Sequence, residues 1–288
     1  MKERILALVL YVISLLPFWI LYRISDLLFV LIYYVFGYRK KVVLENLHNS
    51  FPEKSEAEIQ KIARRFFRYL PDIIVETVKG KSISRKQVMK RVELLNPEVV
   101  YQYLEQGRGV MGVTAHYGNW ELGIHRLAIM TELPRLVIYK PLSDKSFGNV
   151  LNAIRSRFGV SMVPMKQILR HLVNLKNQPQ VSIFVADQTP GYQDSDYYTS
   201  FLGQDTLVFT GTERIAKSMD LPVVFFEIKK KARRGYYSCK FTTLVEHPRE
   251  CADREIIHKH TAFTEQIIRN EPAYWLWSHR RWKRKKRQ

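Results

Sequence analysis

Apolar and polar positions change their rhythm several times along the chain. Ile5–Tyr22 holds eighteen residues without a formal charge, and as a helix it would extend about 27 Å against a hydrocarbon core of about 30 Å. Arg23 and Asp26 interrupt the run, and Leu27–Tyr38 is a second apolar stretch too short to span a bilayer alone. This pattern fits one spanning helix, or a hairpin or interfacial helix pair bent near Pro17 or Arg23–Asp26. A cleaved signal peptide fits poorly, because the apolar run is overlong and no small-residue cleavage site succeeds it. Arg39, Lys40 and Lys41 come next, and such cations favour a cytoplasmic location for the rest of the chain. Residues 1–38 are therefore expected to anchor the protein to a membrane and 39–288 to form the body, ending in a basic tail.

From Val42 to Lys90 the pattern is helical and basic, with Ser55 as N-cap ahead of a helix over Ala57–Leu70. Phe66, Phe67, Tyr69 and Leu70 give it an apolar flank, read as packing against a sheet in preference to the wall of an apolar channel. Strands are then predicted over Gly109–Ala115, Arg135–Tyr139, Val160–Val163, Pro179–Ala186, Leu221–Ile228 and Tyr236–Val245. Helices are predicted over Asn96–Gln106, Leu122–Thr131, Asn149–Phe158, Ile168–Leu175 and Glu255–Asn270. This alternation predicts an α/β fold with a mostly parallel central sheet covered by helices on both faces. No internal repeat is present, and low complexity is confined to the Lys/Arg-rich end.

The stretch Val110–Gly123 carries the chemistry. Its first half is small, apolar and β-branched, as in a strand buried on both faces. His116 stands where that strand ends, Gly118 supplies a flexible turn, and Asn119 can cap a helix beginning Trp120-Glu121. On one continuous helix, five positions would set His116 and Glu121 about 140° apart; across a strand–turn–helix junction the two can meet. Glu121 in the first helical turn is favoured as an anion by the helix dipole. An ionised Glu121 accepting a proton from one ring nitrogen would leave the other nitrogen of His116 free as a base. The carboxyl end of a buried strand is also where open α/β sheets bind ligands.

The 46 basic residues outnumber 27 acidic ones, for a net charge of +19. That suits anionic partners: nucleic acid, anionic lipid head groups or an acidic carrier protein. No recognised nucleic-acid motif is present, so a membrane-tethered nucleic-acid-binding protein is a weaker reading. The two cysteines, Cys239 and Cys251, imply neither a disulfide framework nor a zinc site. A hydrolase holding a metal on His116, Glu121 and Asp187 would usually show ligands at shorter spacing, such as His-Glu-x-x-His, and no metal is expected.

His116-Tyr-Gly-Asn-Trp-Glu121 resembles the His-x4-Glu/Asp signature of the glycerolipid acyltransferase superfamily, and its Asn-Trp-Glu ending resembles the bacterial lipid A late acyltransferases (the lauroyl- and myristoyltransferases). The likeness continues through Asn46-Leu47, Phe51-Pro52-Glu53, Tyr139-Lys140-Pro141 (Lys140 where the family carries Arg), Arg155-Ser-Arg157, Asp187-Gln188, Phe201-Leu202-Gly203 and Trp275–Lys283. The resemblance implies the fold of that superfamily. It also implies transfer of a fatty acyl group from a thioester, on acyl carrier protein or coenzyme A, to a hydroxyl of a lipid A precursor. The setting would be the cytoplasmic face of the bacterial inner membrane, with membrane lipids as further partners, no nucleic acid and no cofactor. Another glycolipid or an aminolipid is the alternative acceptor. His116 would act as general base and Glu121 would hold its tautomer; no Ser or Cys nucleophile is needed. Arg155 and Arg157 are candidates for an acceptor phosphate or the oxyanion. Asp187 would bind an acceptor sugar or position an arginine, and Gln188 and Lys140 are further substrate contacts. Tyr117, Asn119 and Trp120 would shape the pocket. Trp275, Trp277 and Trp282, among Arg280, Arg281 and Lys283–Arg287, suit a membrane interface, and a disordered basic tail is expected from Lys285 onward.

Overall fold

A computed structural model describes residues 2–175, 178–191, 193–284 and 286. The N-terminal apolar run is two helices: α1 (Lys2–Leu15) stops at Leu16-Pro17, and α2 (Phe18–Val30) continues into a π-helical turn over Leu31–Val35. Pro17 lacks an N–H and clashes with a preceding helical turn, so the chain bends there. Next come α3 (Lys40–Ser50), α4 (Glu56–Lys79), α5 (Arg85–Arg91), β1 (Val92–Leu94) and α6 (Glu98–Glu105). The centre of the chain gives β2 (Val110–Thr114), α7 (Trp120–Met130), β3 (Arg135–Tyr139), α8 (Lys145–Arg155), β4 (Ser161–Pro164), α9 (Ile168–Asn174) and β5 (Val181–Val185). It ends with the hairpin β6 (Tyr198–Phe201) and β7 (Gln204–Leu207), α10 (Gly211–Met219), β8 (Val223–Lys230), β9 (Tyr237–Val245) and α11 (Glu255–Asn270).

Seven strands form one sheet in the order β1-β9-β8-β2-β5-β3-β4, parallel throughout except for the β8–β9 hairpin. This is the predicted class. Alternate residues of each strand feed two cores, as the two-residue period of a strand demands. Met111, Val113, Phe184 and Phe225 face α3, α4, α9, α10 and α11, whereas Val110, Ile183, Val224 and Phe226 face α5, α6 and α7. Phe66 and Phe67 are fully buried in the first core, as packing predicts. Helix α4 begins at a capping box on Ser55 and runs through Pro71, well past the expected end at Leu70. Burial of Ile73, Val75 and Glu76 beyond the proline carries it on.

The first 38 residues lie along the body. Lys79 Nζ donates to the carbonyls of Ser14 and Leu16 at 2.7 and 2.9 Å. Ser25 donates to Asp72 at 2.5 Å, and Asp26 pairs with Arg68 and Arg234 at 3.0 and 2.8 Å. The opposite face of these helices is bare. Of the twenty large apolar side chains exposed among the described residues, thirteen lie between Ile5 and Tyr38. Phe18–Val35 is long and apolar enough to cross a membrane by length and composition.

Candidate active site

Strands β2 and β5 are parallel neighbours, with Thr114 opposite Val185. Two residues past each of these positions stand His116 and Asp187, so the register delivers both to the carboxyl edge of the sheet at one level. His116 Nδ1 lies 2.6 Å from Asp187 Oδ1, and the backbone N–H of His116 donates to Asp187 Oδ2 at 2.8 Å. The Trp275 indole N–H donates to the same Oδ2 at 2.8 Å. Burial opposes ionisation of Asp187, but the imidazole beside it and these three donors outweigh burial and hold the carboxyl far below the usual carboxylate range. An acceptor-only carboxylate fixes the proton of His116 on Nδ1 and leaves Nε2 with a lone pair. Gln188 Nε2 stands 3.3 Å from that nitrogen. The imidazole side chain keeps 18% of its surface exposed while Asp187 keeps 2%.

The expected contact between Glu121 and His116 is not formed; Asp187 occupies that place. The helix starts at Trp120, and one further residue turns the side-chain direction by about 100°. Trp120 therefore meets the His116 ring edge-on at 5.0 Å, and Glu121 points away toward α8. There Arg155 Nε and Nη2 donate to the two Glu121 oxygens at 2.8 and 2.5 Å. The Trp120 indole donates to Glu121 Oε1 at 3.0 Å. Burial would raise the Glu121 pKa, but the charge and hydrogen bonds of Arg155 dominate and lower it. Arg155, expected on an acceptor phosphate or the oxyanion, is thus committed to Glu121.

The turn itself is built for this display. Gly118 has φ +60°, and a Cβ there would overlap the Ile228 carbonyl oxygen, so only glycine fits. Asn119 caps α7 through Oδ1, which accepts from the Leu122 N–H at 2.9 Å. Its amide donates to the buried Glu76 at 2.5 Å, and Glu76 also accepts from Tyr22 and Tyr237. Burial pushes the Glu76 pKa up to about 7. Tyr117 is buried and donates to the Glu271 carbonyl at 3.0 Å. Arg157 is exposed, with its guanidinium 5.4 Å from the Phe158 ring centroid, and Lys140 pairs with Asp194 at 3.5 Å. Neither meets His116.

The closing tryptophans are a correction. Trp275 and Trp277 were expected at a membrane interface; they are buried at 1% and 0% exposure. Tyr117 and Trp275 form an antiparallel bridge, Gly118 N–H donates to the Tyr274 carbonyl, and Leu276 N–H donates to the His116 carbonyl. The segment is a buttress for the turn after β2, and Trp282 packs beside it on Phe201 and Trp275. His279 Nε2 accepts from the Thr189 N–H at 3.2 Å, one residue past Gln188. Of the expected disordered tail, Lys285, Arg287 and Gln288 lie outside the described residues. Sequence reasoning missed Trp275, His279 and Glu76 as supports of the site, although a Trp in a basic segment that also carries His was visible.

The class of site that the fold defines is a histidine on a strand tip of an α/β sheet, paired with a buried carboxylate and with no Ser or Cys among its hydrogen-bonding side chains in the described residues. Comparison with known proteins gives that class a family. The chain belongs to the bacterial lipid A biosynthesis acyltransferase family, whose model matches residues 4–284; it is an acyltransferase. It is 25% identical over 281 residues to the lipid A biosynthesis lauroyltransferase of Escherichia coli, covering 96% of this chain and 89% of that one. It is 24% identical over 245 residues to the palmitoleoyltransferase of the same organism, covering 85% and 79%. A lipid A biosynthesis acyltransferase of Haemophilus influenzae is 19% identical over 236 residues, covering 81% and 72%.

Proposed function

We propose that this protein transfers a fatty acyl group from an acyl thioester, carried by acyl carrier protein, to a hydroxyl of a lipid A precursor at the cytoplasmic face of the inner membrane. His116 Nε2 removes the hydroxyl proton as the oxygen attacks the thioester carbonyl, and Asp187 stabilises the imidazolium that forms. The proton then passes from Nε2 to the departing thiolate as the tetrahedral intermediate collapses. The Gln188 amide is placed to donate to an oxygen at the reacting centre, and the positive end of α7 adds to that field. Glu121 acts one layer out: it holds Arg155 and the Trp120 indole, and Trp120 walls the imidazole. A small apolar cavity of about 30 Å³ lies beneath Trp120, lined by Ile124, Ile183, Phe226 and Phe241. It is wide enough for one water-sized group, so a fatty chain entering there has to widen it.

Membrane seating of the first 38 residues is supported by their bare apolar face. The bend at Pro17 and the polar ties from α1 and α2 to the body favour an interfacial helix pair over one helix crossing freely. The observation that carries the function is the His116–Asp187 pair within the matched family. Mass spectrometry of envelope lipids with and without the gene tests it. A secondary acyl chain missing from lipid A, and restored by the wild-type gene but not by His116→Ala, is the expected result; unchanged lipid A would refute it.

A further inference from the structure

A cavity of about 750 Å³ opens between α4, the anchor helix α2 and the β8–β9 hairpin. We propose that it binds the phosphate of a membrane lipid and that this lipid is the acyl acceptor, the second half resting on the function proposed above. Its lining carries six cations: Lys61, Arg64, Arg65 and Arg68 from α4, with Lys230 and Arg234 from the hairpin. The α4 four recur at i, i+3, i+4 and i+7, which places them on one helix face. Asp72 is the one carboxylate lining the cavity, and it is held by Arg234 and Ser25. Asp26 takes Arg68 and Arg234 at the edge, and Glu271 takes Arg65. Lys61, Arg64 and Lys230 form no ion pair among the described residues; Lys230 donates only to a backbone carbonyl. Glu58 also lies within electrostatic reach of Lys61, and six cations against four carboxylates still leave an excess that repels itself in the absence of an anion and would bind one in a concave setting.

The recognising groups suit phosphate in particular. Guanidinium forks bind two oxygens at once, and ammonium groups add point charge. Tyr69 and Tyr274, edge to face at 4.9 Å, form an aromatic surface, with the Arg65 guanidinium and Lys230 ammonium at 5.6 and 5.8 Å from the Tyr274 centroid. The position suits a lipid. Phe29 and Tyr33 wall the cavity on the anchor side, and their neighbours Val30, Tyr34 and Val35 belong to the bare apolar face. A head group can therefore enter while its chains stay in the bilayer. The position also suits the acceptor, because the Tyr274 carbonyl accepts from Gly118 N–H at 3.1 Å, two residues from His116. Basin and base share a wall.

The test compares the wild type with a Lys61→Ala/Arg64→Ala/Lys230→Ala variant, using a phosphorylated lipid A precursor and the same lipid after phosphatase treatment. With acyl-coenzyme A as donor, the variant should raise KM for the phosphorylated acceptor at least about tenfold, the scale of one lost charge-assisted contact. Its kcat and its KM for the dephosphorylated acceptor should hardly move. Equal losses on both acceptors would overturn the proposal, as would a KM rise confined to acyl carrier protein, which would make the basin a docking face for an acidic protein. Inorganic phosphate competing as strongly as the lipid would also overturn it, marking a free-phosphate site. If the triple variant fails to fold, Lys61→Glu at an exposed position serves instead. Vesicle co-sedimentation of His116→Ala protein, on phosphatidylcholine with or without the phosphorylated precursor, reads the basin independently of catalysis. A wild type that acylates nothing but still sediments with the phosphorylated lipid would fail the function and keep the basin.

Discussion

Asp187→Asn separates the two carboxylates that could serve His116. In the wild type, Asp187 Oδ2 accepts two N–H groups, from His116 and Trp275, and Oδ1 accepts one from the imidazole. An asparagine must turn its NH2 toward one side or the other. Turned toward Oδ2's partners, it leaves two buried donors unmet, at about 1–3 kcal/mol each. Turned toward the imidazole, it clashes with one donor, and that clash disappears if the ring moves its proton to Nε2. The second arrangement is the cheaper one, and it removes the base. The fold should therefore survive with a modest loss of stability while kcat falls roughly 10,000-fold, the scale of a wrong-tautomer histidine. The assay is acyl transfer from acyl-coenzyme A to a lipid A precursor under single-turnover conditions, with thermal melting run beside it. Glu121→Gln keeps a hydrogen-bonding partner for Trp120 and Arg155 and should lose far less. An Asp187→Asn enzyme within tenfold of wild type, alongside a Glu121→Gln enzyme that is dead, would refute the assignment.

Trp275→Phe removes one donor from Asp187 and keeps most of the bulk; it should cost about 1–3 kcal/mol in chemical denaturation, with a smaller fall in kcat than Asp187→Asn. Gly118→Ala forces a Cβ against the Ile228 carbonyl at positive φ, and denaturation should show a loss of at least about 1–2 kcal/mol. His125, His260 and His279 are lowered to about 4 chiefly by burial. The folded state therefore binds fewer protons there than the unfolded one, and their stabilisation, present above about 6.5, is lost as pH falls toward 4. Glu76 has the opposite sign: raised to about 7 by burial, its contribution is present below about 4.5 and lost as pH rises to 7. Three groups outweigh one, so the melting temperature should fall between pH 6.5 and 4.5. Glu76→Gln, which removes the opposing titration, should make that fall steeper; an unchanged slope would contradict the burial argument.

Most of the fold was legible because each strand and helix carries its own period. Arg135–Tyr139 and Glu255–Asn270 coincide with the predicted spans, and the class emerged from their alternation. Elements with too few residues to show a period were missed, namely three-residue β1 and the short β6–β7 hairpin; nine-residue α10 was missed because only Ile215, Ala216 and Met219 are apolar in it. Strand order is a different kind of information. That β2 neighbours β5, skipping β3 and β4 in the chain, comes from crossover packing and leaves no local trace. Without it, the nearest carboxylate to His116 in sequence is Glu121; with it, Thr114 opposite Val185 makes Asp187 the partner. The tryptophans failed for a related reason. Rings among cations have one composition whether they face head groups or prop a loop, and only the bridge from Tyr117 to Trp275 decides between the two.

That same geometry gives Glu121 a physical reason to be present without touching the base. Its carboxylate is fully paired by Arg155 and shares a hydrogen bond with Trp120, whose ring edge bounds the imidazole. Losing the carboxylate strands a mostly buried guanidinium, a costly change, and frees Trp120 to turn. Glu121→Ala should therefore impair both stability and transfer, whereas Glu121→Gln, which still accepts from Trp120, should recover part of each. A base-orienting carboxylate would not be rescued in that way, because an amide at His116 would select the wrong tautomer. The alanine-to-glutamine recovery at position 121, set against its absence at 187, is thus the signature that one carboxylate holds the wall and the other holds the base.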